Sequence, residues 1–265
     1  MTKKLTKALV ILSGGADSTT CLFWAIKQFD EVYAITFDYG QRHSIEIESA
    51  KKVAQLAGVL GHELINVPNC LVSASPLTSE NDLEQYTSYD EMEAIIGDRR
   101  ELTFVPMRNA LFLTIAANRA EALGIKSIIT GVCAMDNANY SDCRRVFISA
   151  TEKYINTALG YDDNWDNKIV IHTPLIHLSK AESIKLCIEL DNGAYEALAW
   201  THTSYDGKYP PTDNNHANVL RAQGFIDAGV PDPLVVRAFT ENRMDLPDTP
   251  NYAGIVEEFS KTEDW

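Results

Sequence analysis

The feature that most narrows the fold is an alternation. Short runs of β-branched and apolar residues, near 8–12, 32–37, 63–67, 127–131 and 169–172, are separated by longer stretches with helical spacing at 17–28, 43–57, 108–123, 145–159 and 180–190. Strands with a helix between them cannot pair as hairpins, so they line up parallel, with helices covering both faces. The expected fold class is α/β: a doubly wound, Rossmann-like parallel sheet over residues 1–198, then a small helical and loop extension over 199–265. Residues 70–101, rich in Ser, Thr, Asn and acidic groups, read as a long surface loop or lid. A second irregular stretch, 200–215, carries Gly207, Pro210 and Pro211. An amphipathic helix is expected at 215–228, and the tail to Trp265 is acidic and weakly patterned.

At 265 residues and 45% hydrophobic content, the chain can bury one substantial core. Its 37 acidic and 23 basic residues give a formal charge of -14, which repels phosphate backbones and anionic membranes, so no direct nucleic-acid or membrane partner is expected. The opening residues are too briefly apolar for a signal segment, and no later stretch approaches about 18 apolar residues. The expected location is cytoplasmic. Cys21, Cys70, Cys133, Cys143 and Cys187 are scattered without a CxxC pair, as reduced thiols are.

The sharpest local signal is Ser13-Gly14-Gly15-Ala16-Asp17-Ser18-Thr19-Thr20, placed directly after the strand that ends at Leu12 and directly before a helix. Two glycines let the backbone turn tightly, and a new helix adds N–H donors and the positive end of its dipole, together an anion cradle for a phosphate. Ser13, Ser18, Thr19 and Thr20 offer hydroxyls to the same anion, while Asp17 either caps the helix or holds magnesium. The plain alternative is an ordinary capped strand-to-helix turn.

Ser-Gly-Gly-x-Asp-Ser after a first strand resembles the pyrophosphate-binding loop of the ATP pyrophosphatases, with their adenine nucleotide alpha hydrolase-like fold; no Gly-Lys-Ser/Thr follows, so it is not a Walker loop. Further segments occur in the order of one branch of that superfamily. They are Phe37-Asp38-Tyr39-Gly40-Gln41-Arg42-His43, Val105-Pro106-Met107-Arg108-Asn109, Gly131-Val132, Tyr140-Ser141-Asp142-Cys143-Arg144, and Pro174-Leu175 with Ser179-Lys180. Over most of the chain these look like the 7-cyano-7-deazaguanine synthase family. The resemblance implies an ATP-dependent carbon–nitrogen ligase of queuosine biosynthesis that uses ATP and Mg2+. Such an enzyme adenylates 7-carboxy-7-deazaguanine, admits ammonia to give the amide, and activates again to give the nitrile. A homodimer is also implied.

On this reading Leu12 to Thr20, with Asp38, Tyr39 and Gly131, bind the nucleotide. Arg42, Arg108, Asn109, Tyr140, Asp142 and Arg144 bind the acid, and Asp17, Ser18, Arg108 and Lys180 act in catalysis, Lys180 by neutralising departing pyrophosphate. Asp142 is the expected partner for the two N–H donors of a guanine-like edge. Cys143 is open to two readings, a nucleophile toward the acyl adenylate or a small packed residue.

One departure is large. Where the family carries four zinc-binding cysteines, this chain has Ser204, Thr212, Asn215 and Asn218, with Arg221, Gly224 and Phe225 holding the frame in register. These neutral, hard groups do not suit zinc, which is therefore expected to be absent. A substitute site of His202, Asp206, Asp213 and His216 competes with a plain polar loop. The departure leaves three functions open: the full nitrile-forming synthase, a relative that stops at the amide or couples another amine, or a non-catalytic nucleotide-binding paralogue.

Overall fold

The computed structural model describes residues 6–40, 45–67, 70–79, 81–135, 139–163, 166–204 and 207–255. Five parallel strands, β1 (Lys7–Ile11), β2 (Glu31–Asp38), β3 (Gly61–Asn66), β4 (Ser127–Ile129) and β5 (Val170–His172), lie in the order β3-β2-β1-β4-β5. The helices are α1 (Ala16–Gln28), α2 (Ile45–Ala57), α3 (Tyr89–Ile96), α4 (Arg108–Ala122), α5 (Arg145–Ala158), α6 (Lys180–Leu190), α7 (Ala194–Ala197), α8 (His216–Ala228) and α9 (Pro233–Thr240).

The chain runs outward through β1, β2 and β3, then returns to lay β4 and β5 on the other side of β1. Right-handed crossovers send the helices of the two halves to opposite faces. The burial agrees: Ala8, Val10 and Leu12 pack with Cys21, Leu22, Ala50 and Val53 of α1 and α2. Leu9 points the other way, to Leu113, Ala116 and Ala120 of α4 and to Ile148 and Ile155 of α5. Ala8, Leu9 and Val10 are all fully buried, as a strand covered on both faces must be. A third cluster joins Phe23 of α1, Ile184 and Cys187 of α6 and Phe225 of α8, which fastens the C-terminal part to the sheet.

Two stretches carry more structure than their composition suggests. Within 70–101, Ser88 caps α3 by accepting the Glu91 N–H at 3.2 Å, and Tyr86, Met92 and Ile96 bury themselves with Val219 of α8. Two buried side chains, Met92 and Ile96, in eight residues give little periodic signal, so this helix exists through its contact with α8. In the tail, Asp232 caps α9 and Pro233 occupies its first turn, a start signal that the acidic composition around it obscured. At the expected helix from residue 215, Asn215 is the cap rather than the first helical residue.

Candidate functional site

A parallel sheet with this strand order opens a crevice beyond the carboxyl ends of the strands where its connections reverse, here between β1 and β4. A cavity of about 310 Å³ lies there. The loop after β1 forms its floor. Gly14 has a φ of +89°, and a Cβ there would fall 2.2 Å from the Glu46 carbonyl oxygen, so only glycine allows the turn to pack on α2. Gly131, after β4, closes the other side: a Cβ would lie 3.0 Å from the Ser18 nitrogen.

Gly15 is the N-cap of α1 and brings no side-chain cap, so the opening turn presents its N–H groups to the cavity. Asp17 therefore sits inside the first turn instead of capping it. The Ser13 and Ser18 hydroxyls face each other at 3.0 Å, and Ser18 also accepts the Ser13 N–H at 3.2 Å. The hydroxyls of Ser18 and Thr19 donate back to the Gly15 carbonyl and that of Thr20 to the Ala16 carbonyl, each at 3.0 Å, which braces the helix. Leu12, Ser13, Gly15, Ala16, Asp17, Ser18, Thr20, Tyr39 and Gly131 line the cavity; Gly14, Thr19 and Asp38 do not, and Asp38 instead accepts the Gly40 N–H.

Arg108 is the hub of one wall. Met107, just before it, holds a left-handed φ of +64°, an unfavourable conformation for a side-chain-bearing residue, and this turns the chain so that Arg108 opens α4 at the cavity. Its guanidinium interacts with Tyr39, Glu46, Tyr140 and Asp142. Burial raises the Glu46 carboxyl to about 7, with Arg108 opposing the shift. Burial likewise raises the Asp142 carboxyl, against Arg108 and N–H groups of Asn109. Asp142 Oδ1 is buried without a hydrogen-bond partner among the described residues. Asp142 itself does not line the cavity, but Asn109, Tyr140, Cys143 and Arg144 around it do. The Asn109 amide reaches the Asp142 carbonyl at 3.4 Å and Cys143 Sγ at 3.7 Å. A chain of contacts from Glu101 through Thr103 to the Tyr140 hydroxyl holds that ring from behind.

Lys180, opening α6 behind the Ser179 and Glu182 capping box, places Nζ 2.7 and 2.9 Å from the two Asp17 oxygens. Its stem runs over Gly224 of α8, where a Cβ would lie 2.3 Å from Lys180 Cγ. Thus Asp17, Ser18, Arg108 and Lys180 come together around one cavity, as do Asn109, Tyr140 and Arg144. Arg42 lies outside the described residues. The sequence reading missed Glu46, whose signal was only its place at the start of the helix after the Asp38-Tyr39 turn. It also missed the Glu101 chain and the His202 N–H, which donates to the Gly14 carbonyl at 2.9 Å.

The family described as "Queuosine biosynthesis protein QueC" matches residues 7–229. The chain belongs to this family. A relative from Gloeobacter violaceus named 7-cyano-7-deazaguanine synthase is 48% identical over 231 residues, 87% of this chain and 96% of the relative. One of the same name from Chromobacterium violaceum is 43% identical over 89% of this chain and 95% of its own length. Among solved structures, an NH3-dependent NAD synthetase from Campylobacter jejuni aligns at 15% identity with a TM-score of 0.40, covering 91% of this chain and 77% of that one. A 4-thiouridine synthetase in an RNA complex with bound ATP aligns at 16% identity and 0.46, covering 83% and 53%.

Within this QueC-family chain, the segment that departs from the four-cysteine pattern is built around a carboxylate. Ser204, Asn215 and Asn218 all donate to the Asp213 side chain, Asn218 at 2.6 Å, and Asn218 also donates to the Asp213 carbonyl at 2.8 Å. Three neutral donors converging on one carboxylate suit a hydrogen-bonded clamp. They do not suit zinc, which needs lone pairs from thiolate or imidazole directed inward. Among the described residues no three His, Cys, Asp or Glu side chains group as a metal site; Asp206, one member of the substitute set weighed above, lies outside them. Also among the described residues, no helix is long and apolar enough to cross a membrane.

Proposed function

We propose that this protein is an ATP-dependent carbon–nitrogen ligase that converts 7-carboxy-7-deazaguanine and ammonia to 7-cyano-7-deazaguanine through an acyl adenylate and an amide. The observation that carries this reading is the convergence, in one cavity, of the α1 opening turn, Gly131 and Lys180 with Arg108 and Tyr140. A triphosphate on the Ser13–Ser18 turn meets N–H donors, two hydroxyls and the Lys180 cation. Arg108 would meet the acid's carboxylate, and Asp142, which neighbours the lining residues Tyr140, Cys143 and Arg144 and has one carboxylate oxygen without a hydrogen-bond partner among the described residues, would take the N–H edge of the base. The names of the relatives support the choice of substrate.

Attack of a carboxylate on the α-phosphorus needs charge shielding and a good leaving group more than proton transfer, and positioned cations and N–H groups supply both. Asp17 would hold magnesium, which neutralises the polyphosphate when bound. Purified protein given ATP, magnesium, ammonium and the acid is expected to release pyrophosphate, with the nitrile found by mass spectrometry. Amide as the final product would replace the nitrile reading by the amide-forming one. No pyrophosphate with any deazaguanine acid would overturn both.

A further inference from the structure

The proposed reaction, on which this inference rests, consumes ammonia, yet at neutral pH the nitrogen arrives mostly as ammonium, without a lone pair to attack. Each round must also dispose of two protons. Among the described residues, the carboxylates lining the cavity are Asp17 and Glu46. Asp17 is engaged through both oxygens with Lys180, at the phosphate end. Glu46 is placed differently. It stands in the first turn of α2, and the seating of Gly14 against its carbonyl fixes that backbone relative to the phosphate loop. Its side chain shares the wall with Phe37, Tyr39, Phe112 and Arg108, the residue assigned to the acid's carboxylate.

We infer that Glu46 is the proton acceptor for the amine nitrogen, a catalytic base beside the acyl carbon. In the first round its carboxylate takes one proton from ammonium. The freed lone pair forms the C–N bond at the acyl carbon, and the C–O bond to AMP breaks with its electron pair on the phosphate oxygen. The adduct's surplus proton leaves on the departing AMP, so ammonium, acyl adenylate and carboxylate become amide, protonated AMP and protonated Glu46. In the second round the amide oxygen displaces pyrophosphate from ATP. The resulting O-adenylated amide carries two N–H protons, one passing to Glu46 and one to AMP as the C–O bond breaks and the nitrile forms.

The surroundings suit this role. The group facing Glu46 from α4 is the Arg108 guanidinium, and the Tyr39 hydroxyl faces it from the turn after β2. Burial outweighs the cation and leaves the carboxyl near 7, so it can both accept and release a proton at working pH. Tyr39 and Tyr140 are pushed above their ordinary values by burial and stay protonated there. His202 also lines the cavity, with its backbone bound to Gly14 at the phosphate end.

The test uses Glu46→Gln, similar in size and unable to accept the proton, and Glu46→Asp, which keeps a carboxylate. With ammonium at neutral pH, product formation by E46Q is expected to fall roughly a hundredfold or more, while acid-dependent exchange of labelled pyrophosphate into ATP continues. The acidic limb of kcat/KM for ammonium should disappear in E46Q and persist in E46D. Hydroxylamine, which stays unprotonated at neutral pH, should restore E46Q turnover as the hydroxamate. Unchanged ammonium turnover in E46Q, or loss of exchange in step with product, overturns the role of Glu46. Absence of exchange in the unaltered protein would instead overturn the adenylation reading beneath it.

Discussion

At the scale of single residues, the site is shaped by groups whose neighbours hold them away from their ordinary behaviour. Glu46 is one. Its folded-state carboxyl lies near 7 against an ordinary 4.5, so the folded state favours the protonated form. A raised folded value contributes stability that is complete below the unfolded value and is lost as pH rises through about 7. E46Q removes the charging penalty, so its gain in Tm over the parent protein should be larger at pH 8 than at pH 5, checked by thermal melts at both; an equal shift would mean the carboxyl is not desolvated. Lys180 is another. Its ion pair with Asp17 is partly exposed and contributes about 1 kcal/mol or less to stability, so Lys180→Ala should melt close to the parent. Turnover should nonetheless fall by roughly a hundredfold, since the proposed mechanism uses Lys180 to neutralise the departing pyrophosphate; comparing melts with steady-state rates separates the two effects.

Among elements, the decisive contacts are those between α6, α8 and the segment that joins them. Gly224 lets α8 approach the Lys180 stem, and Gly224→Ala would drive a methyl group into Lys180 Cγ and Cβ, at 2.3 and 2.9 Å, and against Ile184. The expected cost is about 1–3 kcal/mol by overpacking, and turnover should drop because Lys180 is displaced; denaturant titration with activity assays tests both. The Asp213 clamp holds the stretch whose His202 N–H reaches Gly14. Asp213→Ala strands the donors of Ser204, Asn215 and Asn218 and should cost about 1–3 kcal/mol, with faster proteolytic nicking around residues 204–213. EDTA should leave the Tm of the parent protein unchanged, whereas a chelator-dependent fall would mean that a metal, and not this carboxylate, holds the segment.

For the whole molecule, the C-terminal part is held together by a buried ion pair. Arg221 donates to both Asp232 oxygens, at 2.6 and 2.8 Å, and to the Thr201 and Thr203 hydroxyls at 2.8 Å, which ties α8, the start of α9 and the segment before Ser204 into one unit. Arg221→Met leaves Asp232 charged and buried, and the expected loss of about 3–5 kcal/mol should appear as a single cooperative shift in the melt. Much of this organisation was legible in the chain itself. The five strands, the helices between them and the glycine turn after β1 follow from periodicity and turn chemistry, which act over a few residues and leave their mark in the order of side chains. The helix α3 was not legible, because its two buried side chains, Met92 and Ile96, find their partner on α8. Nor was the meeting of Lys180 with Asp17, 163 positions apart, the desolvation of Glu46, or the gathering of three neutral side chains around Asp213. The sequence thus determined which elements form and where the chain makes its glycine turn after β1, since those are local energies. Only the tertiary structure decided which charges face one another and which are stripped of water, because both depend on residues that are distant along the chain and adjacent in space.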